Sequence, residues 1–162
     1  MGCRSDLLAD RIVKGAEELA TFAETLTDAE WNTPLSKDGS DRRPIGVIVN
    51  HVAWIYPVEI DVVRGIASGK AVPVTWDEVA QVNAKHAGDN AKASKAETLA
   101  LLRKNAREAA DAVRKLSDAE LDTAAPLGLS YGATMTAQFV VEDHPLRHPW
   151  HHLARIRKAL GR

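Results

Sequence analysis

Four long segments of this 162-residue chain carry apolar side chains at every third or fourth position. In the first segment, Leu8, Ile12 and Leu19 lie on one line that ends at Leu26. This spacing places the apolar residues on one face of an α-helix, and that face must be buried against another element. The pattern predicts helices over about 5–26, from Pro44 to a fraying end between Gly65 and Gly69, from Ser94 to Leu116, and from Thr134 onward.

The starts of two helices are predicted from capping boxes, in which Ser or Thr precedes Glu by three residues. Thr75–Glu78 is predicted to start a short helix that breaks near Gly88, and Ser94–Glu97 to start a long one. No strand is predicted, and the proline-containing segment 71–75 is expected to be a loop.

The chain also repeats itself. Residues 26–31 (Leu-Thr-Asp-Ala-Glu-Trp) match residues 116–121 (Leu-Ser-Asp-Ala-Glu-Leu), and each copy lies between a long helix and a Pro/Gly-containing loop. Four amphipathic helices bury their apolar faces best as a bundle. The expected fold is therefore all-α, a four-helix bundle of two duplicated helix–loop–helix halves with short accessory helices, forming a single domain over 1–162. The two equivalent loops, 32–43 and 122–133, are expected to wall a pocket at one end of the bundle.

Composition excludes several classes of protein. With 21 basic and 22 acidic residues the formal net charge is −1, so we expect no nucleic-acid surface. No uninterrupted apolar run reaches the eighteen or so residues of a membrane span, and the N-terminus has no apolar signal-peptide core. A cytoplasmic protein that binds no membrane is expected. Cys3 is the only cysteine, which excludes a disulfide within the chain and a cysteine-based zinc site.

The histidines are the candidate functional residues, because four of the six fall between positions 144 and 152. His148 and His152 are four residues apart, so on a helix both imidazoles can reach one metal ion. His51 follows Val47 and Ile48 on an apolar helix face and is therefore expected to point inward. Two ligands from one helix and one from another would form a three-histidine site with an open coordination position.

His51, His148 and His152 are accordingly the predicted metal ligands, with His144 and His151 in reserve. His144, His148 and His152 cannot all bind one ion, because eight helical residues span about 12 Å. Pro149 would remove a backbone hydrogen bond within the helix, which is tolerable if the helix restarts near Asp143–Pro145.

Two familiar metal sites are excluded. Zinc proteases of the His-Glu-x-x-His type carry Glu directly after the first histidine, where this chain has Pro149. A carboxylate di-iron bundle needs inward Glu-x-x-His pairs, and no segment supplies them.

Residues 48–54 (Ile-Val-Asn-His-Val-Ala-Trp) and 148–156 (His-Pro-Trp-His-His-Leu-Ala-Arg-Ile) resemble the two histidine motifs of the DinB-like (YfiT-type) superfamily of metal-binding four-helix bundles. The resemblance covers essentially the whole chain, and it matches His51, His148 and His152 to the family's metal ligands. Pro145 and Pro149 depart from the family's uninterrupted last helix.

The resemblance implies a metal-dependent transferase that acts on a low-molecular-weight thiol of the mycothiol or bacillithiol type and on an electrophile, as in the mycothiol-dependent maleylpyruvate isomerase. It also implies a homodimer. Zinc or nickel suits imidazole ligands best. The alternatives are a metal-dependent hydrolase and a non-catalytic, metal-stabilised binding or stress-response protein.

The sequence designates no catalytic residue. Glu59 and Glu142 are possible general bases, although such residues are more often solvated. Trp54 could wall the cavity, and Trp150 is a weaker candidate, but core packing is the more frequent role of such residues.

Overall fold

The structure is a computed structural model that describes residues 3–36 and 39–162. Its elements in chain order are α1 (Cys3–Glu24), α2 (Asp28–Trp31), α3 (Ile45–Ala67), α4 (Trp76–Asp89), α5 (Lys95–Arg114), α6 (Asp118–Asp122), β1 (Ala124–Pro126), a 3-10 turn (Gly128–Ser130), β2 (Thr134–Thr136), α7 (Ala137–Val141), a π-helical turn (Glu142–Leu146) and α8 (Arg147–Leu160).

The four-helix bundle predicted from the apolar periodicity is confirmed. α1 and α3 both pack against α5, and the continuous helical stretch α7–π–α8 packs against α1 and α3 on the other side. The side chains that define the predicted apolar faces are buried in one core, among them Ile12, Leu19, Ile48, Leu102 and Ile156.

The two halves of the chain repeat the same order of elements. In each half a long helix is followed by a short helix with a complete capping box, at Thr27–Glu30 and at Ser117–Glu120. A loop follows whose two ends pair antiparallel, as a single bridge between Pro34 and Pro44 in the first half and as the β1–β2 ribbon in the second. The Thr75–Glu78 box also forms. At Ser94 the hydroxyl accepts from the Glu97 amide, and the reciprocal bond is absent among the described residues.

The prediction that the chain has no strands is wrong for the second loop. Ala124–Pro126 and Thr134–Thr136 form a two-stranded antiparallel ribbon, and Thr134 therefore lies in a strand, whereas the helix begins at Ala137 with the Thr136 hydroxyl as its cap. Three-residue strands are too short to show an alternating pattern in the sequence, and only their pairing across the loop defines them. Segment 71–75 is a loop, with one bridge from Val72 to Leu127.

The two prolines near the histidines are accommodated by a change of helical register. Pro145 lies in the π-helical turn, and Pro149 lies in the first turn of α8, which starts at Arg147. A residue that lacks an N–H is tolerated at such positions because the regular hydrogen-bond ladder is already interrupted or only beginning there. The predicted restart of the helix near Asp143–Pro145 takes this form.

α3 is long and apolar enough to cross a membrane by length and composition alone, but 67% of its most apolar window is buried within the protein. Its neighbours in the bundle are α5, α7 and α8. α3 is therefore the central helix of the core, and it brings His51 into the interior.

Candidate metal centre

The structure brings His51 on α3 together with His148 and His152 on α8. One nitrogen of each ring lies within 4.8 Å of the others, and in the described part of the chain no other set of three or more His, Cys, Asp or Glu side chains meets this criterion. The ring centroid of His51 is 5.1 Å from that of His148 and 5.6 Å from that of His152. Nε2 of His148 and Nε2 of His152 are 2.9 Å apart.

Burial keeps the two most enclosed imidazoles uncharged. His51 and His152 are each 5% exposed. Desolvation, with a smaller contribution from the neighbouring His148, lowers the pKa of His51 to about 3, and the same causes lower the pKa of His152 further. Neutral imidazoles are the form that binds a metal ion, so these ligands need not lose a proton at neutral pH.

The donor set fits a divalent ion. Two nitrogens that each bind one tetrahedral zinc at 2.0–2.1 Å lie about 3.3 Å apart, close to the separation of the His148 and His152 nitrogens. A cation at the centre of the three rings would accept one nitrogen lone pair from each of them.

Glu59 holds His148 in the orientation that such an ion requires. Its Oε1 is 2.7 Å from Nδ1 of His148, so Nδ1 donates to the carboxylate and the lone pair of Nε2 faces His152. A carboxylate behind a metal-binding histidine fixes the tautomer and makes the ring a stronger ligand. Glu59 is 6% exposed and so is not solvated, as residues of this kind more often are. Its position eight residues after His51, on the same face of α3, was the available signal.

The reserve ligands line the approach to the site. His151 is exposed, with its ring 5.1 Å from that of His152. His144 lies in the π-helical turn with a side chain that is 18% exposed, and burial lowers its pKa. Neither belongs to the convergent set of three. Glu142 accepts a hydrogen bond from Gln138 at 3.0 Å and does not line the cavity.

A cavity of about 420 Å³ opens onto the three histidines. The apolar wall of the cavity comes mainly from α3 and α4, and the charged and polar part of its lining includes Arg43, Arg155, Arg147 and the histidines of α8. The apolar wall consists of Ile55, Val58, Val62, Val74, Trp76, Val79 and Leu129. The two loops predicted to wall a pocket contribute Arg43 and Leu129, while positions 37 and 38 of the first loop lie outside the described residues.

Neither predicted tryptophan lines this cavity. Trp54 is half-buried and stacks on His86 of α4 at 4.7 Å between centroids. His86, the one buried side chain of α4, also pairs with Asn50 through its Nε2 at 2.9 Å. These contacts attach α4 to α3 and so position the apolar wall. Trp150 packs against Gly15 of α1, where a Cβ atom would meet its ring nitrogen at 2.7 Å.

Comparison with known proteins agrees with this architecture. No curated protein matches the chain. Among solved structures, the chain is similar to YfiT from Bacillus subtilis, which is described as "a probable metal-dependent hydrolase with an unusual four-helix bundle topology". The two share 20% sequence identity with a TM-score of 0.76, over 98% of this chain and 87% of YfiT. At this identity the likeness establishes the fold, with nearly every helix of the chain included.

The sequence model of the DinB superfamily matches residues 11–156. This range contains all of α3 and α5, most of α1 and α8, the three convergent histidines and Glu59. The chain belongs to the DinB superfamily.

Proposed function

We propose that this protein is a metal-dependent enzyme that transfers a low-molecular-weight thiol to an electrophile, using a divalent ion held by His51, His148 and His152. The observation that carries the proposal is the convergence of three imidazoles, two of them buried and uncharged, at the base of an amphipathic cavity. A purely structural metal site would be closed by a fourth protein ligand, and the described residues bring only three together.

The ion's role would be to supply positive charge that favours the deprotonated, nucleophilic form of a thiol that reaches it. Three neutral ligands leave that charge uncompensated. His51 and His152 hold the centre from two helices, and Glu59 accepts the Nδ1 proton of His148 so that this ring presents its lone pair inward. The thiol proton would pass to solvent water, so this activation would need no further protein base.

The cavity supports small-molecule chemistry. Its volume is at the lower end of the range of small-ligand pockets. The apolar wall would cover the carbon skeleton of the electrophile and exclude water from the nucleophile. We extend the proposal to zinc or nickel as the ion, to a cytoplasmic homodimer, and to small molecules rather than nucleic acid or membrane as partners.

A metal-dependent hydrolase is the second candidate, because the structurally similar YfiT is described as one. Hydrolysis would require a general base in addition to the metal ion, because a water nucleophile is usually assisted by a base. The buried carboxylate nearest the site, Glu59, already binds His148 through one oxygen.

The test is to purify the protein, measure its bound metal, and assay it with monochlorobimane or a maleyl compound in the presence and absence of cellular thiols. We expect turnover that requires both thiol and metal, and we expect His148→Ala to abolish it together with most metal binding. His151→Ala is the matched control, because His151 lies on the same helix beside the site and is outside the convergent set.

The outcomes separate the candidates. Hydrolysis of esters or amides without thiol would favour the hydrolase. Full metal binding without turnover in either assay, combined with a large loss of thermal stability on chelation, would identify a non-catalytic, metal-stabilised protein. Full metal binding by His148→Ala would contradict the proposed site.

A further inference from the structure

We propose that Arg43 and Arg155 form a carboxylate-binding subsite beside the metal centre, so that the ligand of this cavity is an apolar small molecule with one carboxylate group. The inference deepens the proposed function, on which it rests for the identity of the site. Neither arginine belongs to the convergent set of proposed metal ligands.

The two arginines come from different parts of the chain and meet at one partly buried carboxylate. Arg43, in the loop before α3, contacts Asp41 through Nε and Nη2 at 2.9 and 2.7 Å. Arg155 of α8 contacts the same group through Nη2 at 3.1 Å. The Asp41 side chain is 11% exposed, so the carboxylate fixes both guanidinium groups at the cavity wall.

This arrangement leaves one positive charge uncompensated. Two guanidinium groups share one carboxylate, and among the described residues no other acidic side chain pairs with either of them. Each guanidinium carries five N–H donors, and only three of the ten donate to Asp41. The remaining donors are available to an anion, and the side chains retain 33% and 37% exposure.

The arginine pair lies beside the metal centre. Arg43 and Arg155 line the same cavity as His51, His148 and His152, and Arg155 follows His152 by three residues on α8. A ligand whose carboxylate lies at the arginine pair would thus place its other atoms beside the three histidines. Arg147 does not offer a comparable subsite, because it pairs one-to-one with Asp143 and its side chain is 57% exposed.

The apolar lining of the cavity defines the rest of the ligand. Val58, Val74, Val79 and Trp76 present apolar surface to the cavity, and Trp76 is held in place by a hydrogen bond from its Nε1 to the Leu129 carbonyl at 2.9 Å. One surplus charge in a cavity with an apolar wall suits a monocarboxylate with an apolar body. A doubly charged phosphate would need a second uncompensated cation.

The experiment compares 4-phenylbutyrate with its neutral analogue 4-phenylbutanamide, titrated calorimetrically into the full-length protein at one ionic strength. We expect the acid to bind about tenfold more tightly than the amide, since the carboxylate offers a guanidinium an opposite charge and two acceptor oxygens, whereas the amide offers one uncharged carbonyl oxygen. Arg155→Gln should reduce this preference to less than about threefold, and Arg155→Lys should retain part of it, because lysine keeps the charge without the planar fork.

Arg157→Gln is the matched control. It removes the same charge from the same helix, but Arg157 lies over the ring of Phe22, away from the cavity. The preference should persist in this variant. It should also persist in wild-type protein after metal removal, because the arginines and not the ion hold the carboxylate.

The proposal is overturned by equal affinities for the acid and the amide, by an equal loss of preference in Arg157→Gln, or by a preference that disappears with the metal. An absence of saturable binding of the acid up to about 10 mM would also overturn it. If Arg155→Gln does not fold, the preference for the acid over the amide is compared between the wild type and Arg155→Lys. Because the readout is equilibrium binding, its failure would leave metal-dependent turnover untouched, and an inactive enzyme would leave the binding result readable.

Discussion

Replacing Glu59 with glutamine should weaken metal binding without destabilising the metal-free protein. The carboxylate lies 2.7 Å from Nδ1 of His148 and is buried, so glutamine fits the space but removes the negative charge behind the ring. Loss of such a partner usually lowers metal affinity by about 10–100-fold, which corresponds to roughly 1.4–2.8 kcal/mol.

The metal-free protein should respond differently. The second oxygen of Glu59 is buried and has no hydrogen-bond partner, so the carboxylate is incompletely solvated in the fold. A neutral amide is less costly to bury. We therefore expect the free energy of unfolding of the metal-free variant to equal or exceed that of the wild type. A residue that served only packing would change neither quantity, because glutamine fills the same space.

Affinity is measured by competition of Zn²⁺ or Co²⁺ between the protein and a chromophoric chelator, and stability by urea unfolding after metal removal. Glu142→Gln is the control, because Glu142 is a nearby carboxylate of the same chain whose partner is Gln138 and not a histidine. The reasoning is refuted if Glu59→Gln binds metal within twofold of the wild type, or if Glu142→Gln weakens binding equally.

Two further predictions concern the scaffold. Gly46→Ala should lower the free energy of unfolding by about 1–3 kcal/mol, because its Cβ would overlap the buried Trp31 ring. Gly88→Ala should raise the free energy of unfolding by about 0.5 kcal/mol, because no atom lies within 4 Å of the added methyl. Thermal unfolding of the two variants checks this contrast, and similar shifts in both would contradict it. Asp41→Asn should cost about 1–2 kcal/mol near pH 6, because hydrogen bonds from Arg43 lower the pKa of Asp41 from 3.8 to about 2. The folded pKa lies below the unfolded one, so this stabilisation is present above pH 3.8 and is lost as the pH falls through about 2. In urea unfolding across that window, the free energies of unfolding of wild type and variant should therefore converge. A difference that stays constant with pH would rule out the ion pair as its source.

The bundle could be predicted from the chain because its determinants are local. Apolar spacing through Leu8, Ile12 and Leu19, and capping boxes such as Thr27–Glu30, act within one or two helical turns. The β1–β2 ribbon escaped prediction because each strand has three residues and is stabilised only by pairing across the loop. The start of the last helix at Ala137 follows from the same pairing.

The candidate site, like the fold, could be predicted from the sequence only in part. The four-residue spacing of His148 and His152 places both on one helical face, and the apolar neighbours of His51 indicate that it points inward. The role of Glu59 could not be decided from the sequence, because it depends on the distance between α3 and α8. Trp54 stacks on His86 of α4, and this contact depends likewise on how α3 and α4 pack.

The sequence by itself therefore determined the helices, their apolar faces and the candidacy of three histidines, since each of these properties depends on residues a few positions apart. Only the tertiary structure decided that the three rings converge, that a buried carboxylate stands behind one of them, and that two arginines share Asp41 at the cavity wall. Asp41 and Arg155 are 114 positions apart, and no periodicity links them. Their proximity is a consequence of burying the apolar faces of all four helices in one core.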